Sequence, residues 1–558
     1  MSSFFTTPAS QRKRKRSQTS AQEPEKRNRK RREDSISSGD SDDDGARPRD
    51  EDDNASENSS DAEHDETAAE RRLRLAERYL DNIREEVDEA GFDAAEIDKD
   101  LIAERLKEDV AESKGRVYRH IAESLDFSSA AHTFSRADNH VTTAIATHPP
   151  YAYTTTKDMC LIKWSLPDPL ALTAEHPSNM TPRRRPTQVA FTRGNKNHAK
   201  DPNYTHHTAP ILCVAASPDG QFVATGGADK KLIVWRAEDL TPLKVFTQHR
   251  DAVTSLAFRR GKNQLFSASA DRTIKTWSLD ELAYVETLFG HQDGVIDVAA
   301  LAQERCVSVG ARDRTARLWK VAEESQLVFR GGGSSVTRTN RSDGNTAKAG
   351  GGYAEGSIDR VALVDEETFV TGSDNGAISL WSVHKKKPVF TVGMAHGLDP
   401  PMQRDEVYAD AEIDDDAWVP PQQPRWITAL TTIPYTDVIL SGSWDGWVRA
   451  WKINKEGRRI ESLGTVGQIR QTGDGDAVMV DGADEDQQPA VGNVRGVVND
   501  LSVFERGDRG KDGICVVAAV AKELKMGRWR KYPGKNAAVV FEIKRNIAAD
   551  GTEEELEE

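Results

Sequence analysis

Cysteine is scarce in this chain. Only four occur in 558 residues, Cys160, Cys213, Cys306 and Cys515, far apart and mostly inside apolar runs. Such spacing gives neither a disulfide framework nor a thiolate zinc site. It reads as small buried hydrophobes of a reducing compartment. Long apolar runs are also missing. CVVAAVA, Cys515–Ala521, is among the longest and is strand-sized, whereas a membrane helix needs about 20 apolar residues. No membrane partner is expected. The first residues, MSSFFTTPAS, lead into basic side chains rather than the apolar stretch of a secretory leader. Signatures of catalysis are lacking too: G-x-x-x-x-G-K-[ST], H-E-x-x-H and C-x-x-C do not occur. The glycine-rich GGGSSVTRTNRSDGNTAKAGGG is not followed by the Lys-Ser/Thr of a phosphate-binding loop, and reads as a flexible connection. These absences point away from an enzyme, a cofactor, a metal and a small-molecule substrate.

Charge, by contrast, is abundant and uneven. The net charge is −15. Residues 1–32 nevertheless hold 11 basic and two acidic side chains, and residues 33–70 hold 16 acidic and two basic ones. Local patches, not the total, therefore decide whether nucleic acid can bind. Two basic clusters stand out: Lys13, Arg14, Lys15 and Arg16, then Lys26, Arg27, Arg29, Lys30, Arg31 and Arg32. Paired clusters with a short polar spacer fit a nuclear import signal. The plainer alternative is a basic arm that touches RNA loosely. The acidic, Ser-rich stretch that follows has almost nothing to bury, so residues 1–66 are expected to be a disordered arm. Residues 546–558 are expected to be an acidic disordered tail.

From Thr67 the pattern changes. Leu73, Ala76, Leu80, Ile83 and Val87 fall at helical steps of three and four, Gly91 stops the run, and Ile97, Leu101, Ile102, Leu106 and Val110 form a second stripe. The spacing predicts a helical extension over 67–127. Lone helices of this length are marginal in water and need something to dock on.

The next change is to short β-rich runs with Gly and Asp at their ends. ADKKLIVW, ADRTIKTW and RDRTARLW place Asp229, Asp271 and Asp313 six residues before Trp235, Trp277 and Trp319. The tryptophans are 42 residues apart, and His207, His249 and His291 precede their aspartates by 22. This is the WD-repeat signature, and one repeat is one four-stranded propeller blade. Weaker copies follow: His140, Asp158 and Trp164; Asn375 and Trp381; Asp445 and Trp451; and a last unit with Phe541 in the Trp place. No histidine is evident for the fifth and sixth units. Together they predict an all-β, seven-bladed WD-repeat β-propeller over 128–545. The stretches 165–206, 331–352, 396–424 and 462–495 read as insertions. Ala130–Arg136 is expected to supply the outer strand of the seventh blade and so remove an exposed edge. The His–Asp–Trp sets are read as structural, because a buried polar network rigidifies only when each member is satisfied.

Partner contacts should fall on the face where the turns between second and third strands meet the connections between blades. Arg312 and Arg314 bracket Asp313 there. Trp444 is expected as an exposed aromatic where Ala228 and Ala270 stand in other blades. The last such turn, KELKMGRWRKYPGKN, combines Lys522, Lys525, Arg528, Arg530, Lys531 and Lys535 with Trp529 and Tyr532. Cations fix phosphates and aromatic faces stack on bases or pack on a protein. The competing reading is a solvated basic loop with Trp529 folded back onto its blade. A second basic stretch, Thr181–Lys200, suits loose phosphate contact.

Several segments resemble one family. RDRTARLWKVAEESQLVFRGG, GSIDRVALVDEETFVTGSDNGAISLW, KMGRWRKYPGKNAAVVF and the lead-in ETAAERRLRLAERYLDNIREE are similar to the WD-repeat subunits specific to the U3 small nucleolar ribonucleoprotein. The resemblance covers most of residues 66–545. It implies a non-enzymatic scaffold in the nucleus and nucleolus. Its partners would be the box B/C element of U3 small nucleolar RNA, the small kink-turn-binding core protein and other proteins of the small-subunit processome. Its process would be pre-ribosomal RNA processing and small-subunit biogenesis. The alternative is a nuclear WD-repeat scaffold of a protein-only complex, such as chromatin or ubiquitin-ligase machinery.

Overall fold

The computed structural model describes residues 118–135, 140–167, 185–201, 203–331, 355–402, 407, 419–454, 458–467, 494–507, 510–527 and 530–546. The import clusters and both apolar helical stripes lie outside these residues, as does the acidic tail beyond 546.

The described strands form seven antiparallel four-stranded sheets. In chain order the blades start at Thr142, Ile211, Val253, Val295, Ile358, Ala429 and Val497. Within a blade the chain runs up and down from the inner strand to the outer one. The seventh is the exception: Val497–Arg506, Gly513–Ala521 and Ala537–Ile543 are completed by Ala131–Phe134 from the other end of the domain. His132 there pairs with Phe541 and Phe134 with Val539. The ring thus closes as the sequence suggests, without a free edge at its seam.

Alternating apolar residues let each sheet bury both faces against its neighbours. Cys213, Leu232, Val234 and Phe246 of the second blade pack with Val253, Leu265 and Trp277 of the third. The same arrangement joins Phe266, Ala268 and Ile274 of the third to Val298, Cys306 and Trp319 of the fourth. The six repeat tryptophans and Phe541 are all buried in these seams. Removing one such aromatic should cost about 3–5 kcal/mol. The four cysteines are buried and form no disulfide among the described residues, as expected of small hydrophobes.

Two expectations need correction. Residues 118–127, the end of the expected helical extension, form turns and isolated bridges instead of helix. Ile121, Ala122, Leu125 and Phe127 enter the core of the sixth and seventh blades. Asp437 explains the shape: its Oδ1 accepts the backbone N–H groups of Ile121 and Ala122 at 2.9 and 3.0 Å and so holds a tight turn. Arg119 adds an ion pair to Glu505. The insertions are also narrower than expected. The outer strand of the first blade, Thr187–Arg193, lies inside 165–206, and the outer strand of the sixth, Arg459–Thr465, runs into 462–495.

Candidate nucleic-acid interface

The repeated histidines form the expected network, with one member that the spacing does not reveal. His207, His249 and His291 place Nδ1 3.0, 2.9 and 2.8 Å from Asp229, Asp271 and Asp313. Their Nε2 atoms lie 2.7–2.8 Å from the hydroxyls of Thr225, Ser267 and Ser308. Trp235, Trp277 and Trp319 donate their indole N–H to the same hydroxyls. The aspartates also accept the backbone N–H two residues on, closing the turn. Burial opposes ionisation of Asp229, Asp271 and Asp313, but hydrogen bonds from their histidines and the backbone outweigh it and hold each carboxyl below its usual range. An ionised carboxylate only accepts, so Nδ1 carries a proton, while Nε2 faces the hydroxyl. Both ring nitrogens of each histidine are thus engaged within the network.

The sixth blade does have its histidine. His396 sits 2.8 Å from Asp445 and 2.8 Å from the Ser441 hydroxyl, to which Trp451 donates. The expected insertion 396–424 separates the pair in sequence and hides it. In the fifth blade Glu355 replaces the histidine and accepts from Ser373, while Asn375 keeps the turn by accepting from the N–H of Ala377. In the first, His140 contacts Asp158, and both are a third exposed.

The candidate contact residues separate into three groups. Arg314 occupies the left-handed position after the network aspartate, as Lys230 and Arg272 do. Its Nη1 donates to the Glu355 carbonyl at 3.2 Å, just as Lys230 Nζ reaches the Arg250 carbonyl at 2.7 Å. Arg314 is therefore a latch onto the following blade. Arg312 is exposed beside it.

Lys525 forms the second group by itself. It belongs to the basic turn, yet its ammonium points into the ring and donates to the Thr254 carbonyl at 3.1 Å. Its backbone N–H donates to Asn499. Burial pushes its pKa down, against the pull of Asp500 and Asp297. These line a cavity of about 270 Å³ along the ring's axis, together with Arg360 and Ser255. The expected surface cation is thus a pin across the channel.

The third group is a rim built around Asp399. Asp399 accepts from Arg425 Nε at 3.1 Å, Trp444 Nε1 at 2.7 Å and Arg530 Nη1 at 2.9 Å. Trp444 is half-buried, not simply exposed: its ring meets Trp426 edge-on at 6.0 Å and Tyr532 at 5.4 Å. The Arg530 guanidinium lies over Tyr532 at 5.0 Å and over Trp444 at 5.8 Å. Lys522, Lys531 and Lys535 are exposed on the same turn. Arg528 and Trp529 lie outside the described residues. One carboxylate thus orients two guanidiniums and an indole, leaving one net positive charge, while the lysines add further cations around aromatic faces. Such a surface can hold phosphates and stack on a base.

The WD domain, G-beta repeat family matches residues 200–236, 240–278, 283–320 and 421–452, which are the second, third, fourth and sixth blades. Ribosomal RNA-processing protein 9 of Saccharomyces cerevisiae is 34% identical, with 83% of this chain and 87% of that protein aligned. U3 small nucleolar RNA-interacting protein 2 of Homo sapiens is 37% identical over 86% of this chain and 83% of its own. The chain belongs to this family of U3 ribonucleoprotein WD-repeat proteins. An uncharacterized WD repeat-containing protein of Schizosaccharomyces pombe is 39% identical over 90% of this chain and 91% of its own. The solved structure of U3-55K matches with TM-score 0.54 and 29% identity, covering 74% of this chain and 98% of that one. The solved RRP9 WD40 repeats match with TM-score 0.54 and 30% identity, covering 75% and 100%.

Against this family background, the residues that sequence reading missed are Thr225, Ser267, Ser308 and Ser441 in the network, and Arg425, Trp426 and Asp399 in the rim. The hydroxyls had a signal: each lies four or five residues before its aspartate. The rim residues had little, because they occupy or border a stretch with no repeat pattern.

Proposed function

We propose that this propeller is a non-catalytic RNA–protein scaffold of the U3 small nucleolar ribonucleoprotein, acting in the nucleus and nucleolus. It binds the box B/C element of U3 small nucleolar RNA together with the kink-turn-binding core protein, among other proteins of the small-subunit processome. It thereby supports early pre-ribosomal RNA processing. The family relationship supports the ribonucleoprotein. The observation that carries the contact is the Asp399-centred rim, where Arg425, Arg530, Trp444 and Tyr532 stand beside exposed lysines of one turn. Guanidinium and ammonium groups give affinity, and the aromatic faces give stacking.

The test is binding of the full chain to U3 RNA carrying box B/C, with the core protein present, over a range of salt. Lys531→Ala should reduce the salt slope by about one phosphate's worth. Trp444→Ala should cost about 1–3 kcal/mol of binding if a base stacks on it. Thermal melts of each variant separate lost contact from lost packing. Wild-type affinity in both folded variants would remove this site. RNA-independent retention of the protein in a complex would favour the protein-only scaffold.

A further inference from the structure

On the same face, where the axial channel opens, lies a second cavity of about 360 Å³. That is within the roughly 300–1,000 Å³ of small-ligand sites. Ile296, Trp426, Ile427, Leu524 and Met526 give it apolar walls. Met526 at its rim keeps 48% of its surface exposed.

The charged groups in and below this cavity are not balanced. Two cations are present, and both are already occupied. Arg360 donates to the carbonyls of Thr428 and Asn499 at 2.5 and 2.7 Å and lies 4.0 Å from Asp297. Lys525 is tied to the Thr254 carbonyl. Three carboxylates face them. Asp297 accepts from the Ser255 hydroxyl and the Val361 N–H, and Asp500 accepts from the Ile145 N–H. Each of these two thereby stitches its inner strand to the next blade. Asp359, which lines the cavity, has only the Ser357 hydroxyl at 2.8 Å among the described residues. One negative charge is in surplus, and Asp359 is the carboxylate left with spare acceptor capacity.

We propose that this cavity is a binding site for a single arginine side chain presented by an extended segment of a partner protein. Its methylenes would pack between Trp426, Met526 and Leu524, and its guanidinium would meet Asp359. Nucleic acid is disfavoured there, since a phosphate would face Asp359 with the local cations already engaged. A part-buried carboxylate with no ion pair of its own among the described residues is costly, and a guanidinium supplies the missing charge with a fork of donors that matches it. In keeping with this geometry, burial and then the neighbouring Asp374 push the Asp359 carboxyl up to about 6, against the opposing pull of Ser357 and Arg360. The face would thus be divided: a basic aromatic rim for RNA and an acid-floored pit for protein. The pit is independent of the RNA reading, because its test contains no RNA.

The experiment compares acetyl-Ala-Arg-Ala-amide with acetyl-Ala-citrulline-Ala-amide, an uncharged isostere, by NMR titration against the full chain. The arginine peptide should bind at least ten-fold more tightly, about 1.4 kcal/mol. In Asp359→Asn the ratio should fall close to one. Should Asp359→Asn melt below the titration temperature, Met526→Arg serves instead. At an exposed rim position it places the protein's own guanidinium over the pit and should abolish binding of the arginine peptide. Equal affinity for the two peptides in the natural protein would overturn the proposal. So would a preserved ratio in folded Asp359→Asn, or undiminished binding in Met526→Arg.

Discussion

His396 and Asp445 stand 49 residues apart in the chain and 2.8 Å apart in space. Their counterparts His207 and Asp229 are 22 residues apart at 3.0 Å. The local geometry is the same although the connecting chain more than doubles. Loop-closure entropy grows only slowly with length, so the added connection costs little while the network holds the junction.

That equivalence yields a stability prediction. His291→Ala leaves Asp313 and the Ser308 hydroxyl short of a buried partner and should cost roughly 1–3 kcal/mol. His396→Ala should cost the same order, despite its place beside an insertion. Urea unfolding of both variants measures this. RNA affinity, taken where the variants stay folded, should be nearly unchanged; a selective loss of binding at wild-type stability would mark a contact residue instead.

The same carboxylates set an acid limit. Asp229, Asp271, Asp313 and Asp445 are held below the ordinary range in the folded state. Groups with a depressed folded pKa contribute stability that is complete above the unfolded value, near 4, and is lost as pH falls below it. Melting temperature should therefore drop steadily from about pH 4 downward. His291→Ala should flatten that dependence, because it removes the hydrogen bond that most lowers Asp313. An unchanged acid slope in the variant would contradict the network's electrostatics.

Lys525 and Lys531 belong to one turn but should behave oppositely. Lys525→Ala empties a channel position and should lower the melting temperature. Any accompanying loss of RNA affinity should come without a change in salt slope, since its ammonium already donates to Thr254. Lys531→Ala should leave the melt alone. A salt titration of both variants checks the contrast.

Ring closure can be cut at two places. A chain starting at residue 118 keeps Ile121, Leu125, Phe127 and the strand Ala131–Phe134, and should fold and stay soluble. A chain starting at residue 139 loses them all, exposes the edge of Ala537–Ile543 and should aggregate. Light scattering and circular dichroism decide. A soluble, equally stable shorter chain would show that the seam is dispensable.

Replacing the basic residues at 13–16 and 26–32 by alanine should abolish nuclear accumulation of a fluorescent fusion. Unaltered entry would leave those clusters as an RNA-touching arm.

Much of the ring was legible because a repeat is a periodic signal, and period survives divergence. Asp-to-Trp spacing located five blades, Asn375 six residues before Trp381 located another, and Phe541 marked the seventh without a tryptophan. The channel and rim were harder to read. Lys525 looks like any cation of a basic turn until the ring's curvature directs it inward. Trp444 looks exposed until Asp399, Trp426 and Tyr532 arrive from other segments. Residues 118–127 read as the end of a helical extension until Asp437, from the sixth blade, takes the N–H groups of Ile121 and Ala122. In each case the deciding contact is long-range and crosses between blades, where no local pattern reports it.

The pairing of His132 with Phe541 also sets an order in time. During synthesis the strand Ala131–Phe134 emerges before any of the blades, yet its partner is made after all of them. Until Ala537–Ile543 leaves the ribosome, the early strand must wait unpaired while six sheets assemble beside it. Closure is then a high-contact-order event that comes last and is slow relative to hairpin formation. A chain that stalls or is cut short in the seventh blade carries an unfinished sheet edge that chaperones can detect. Only a fully translated propeller can therefore close its ring.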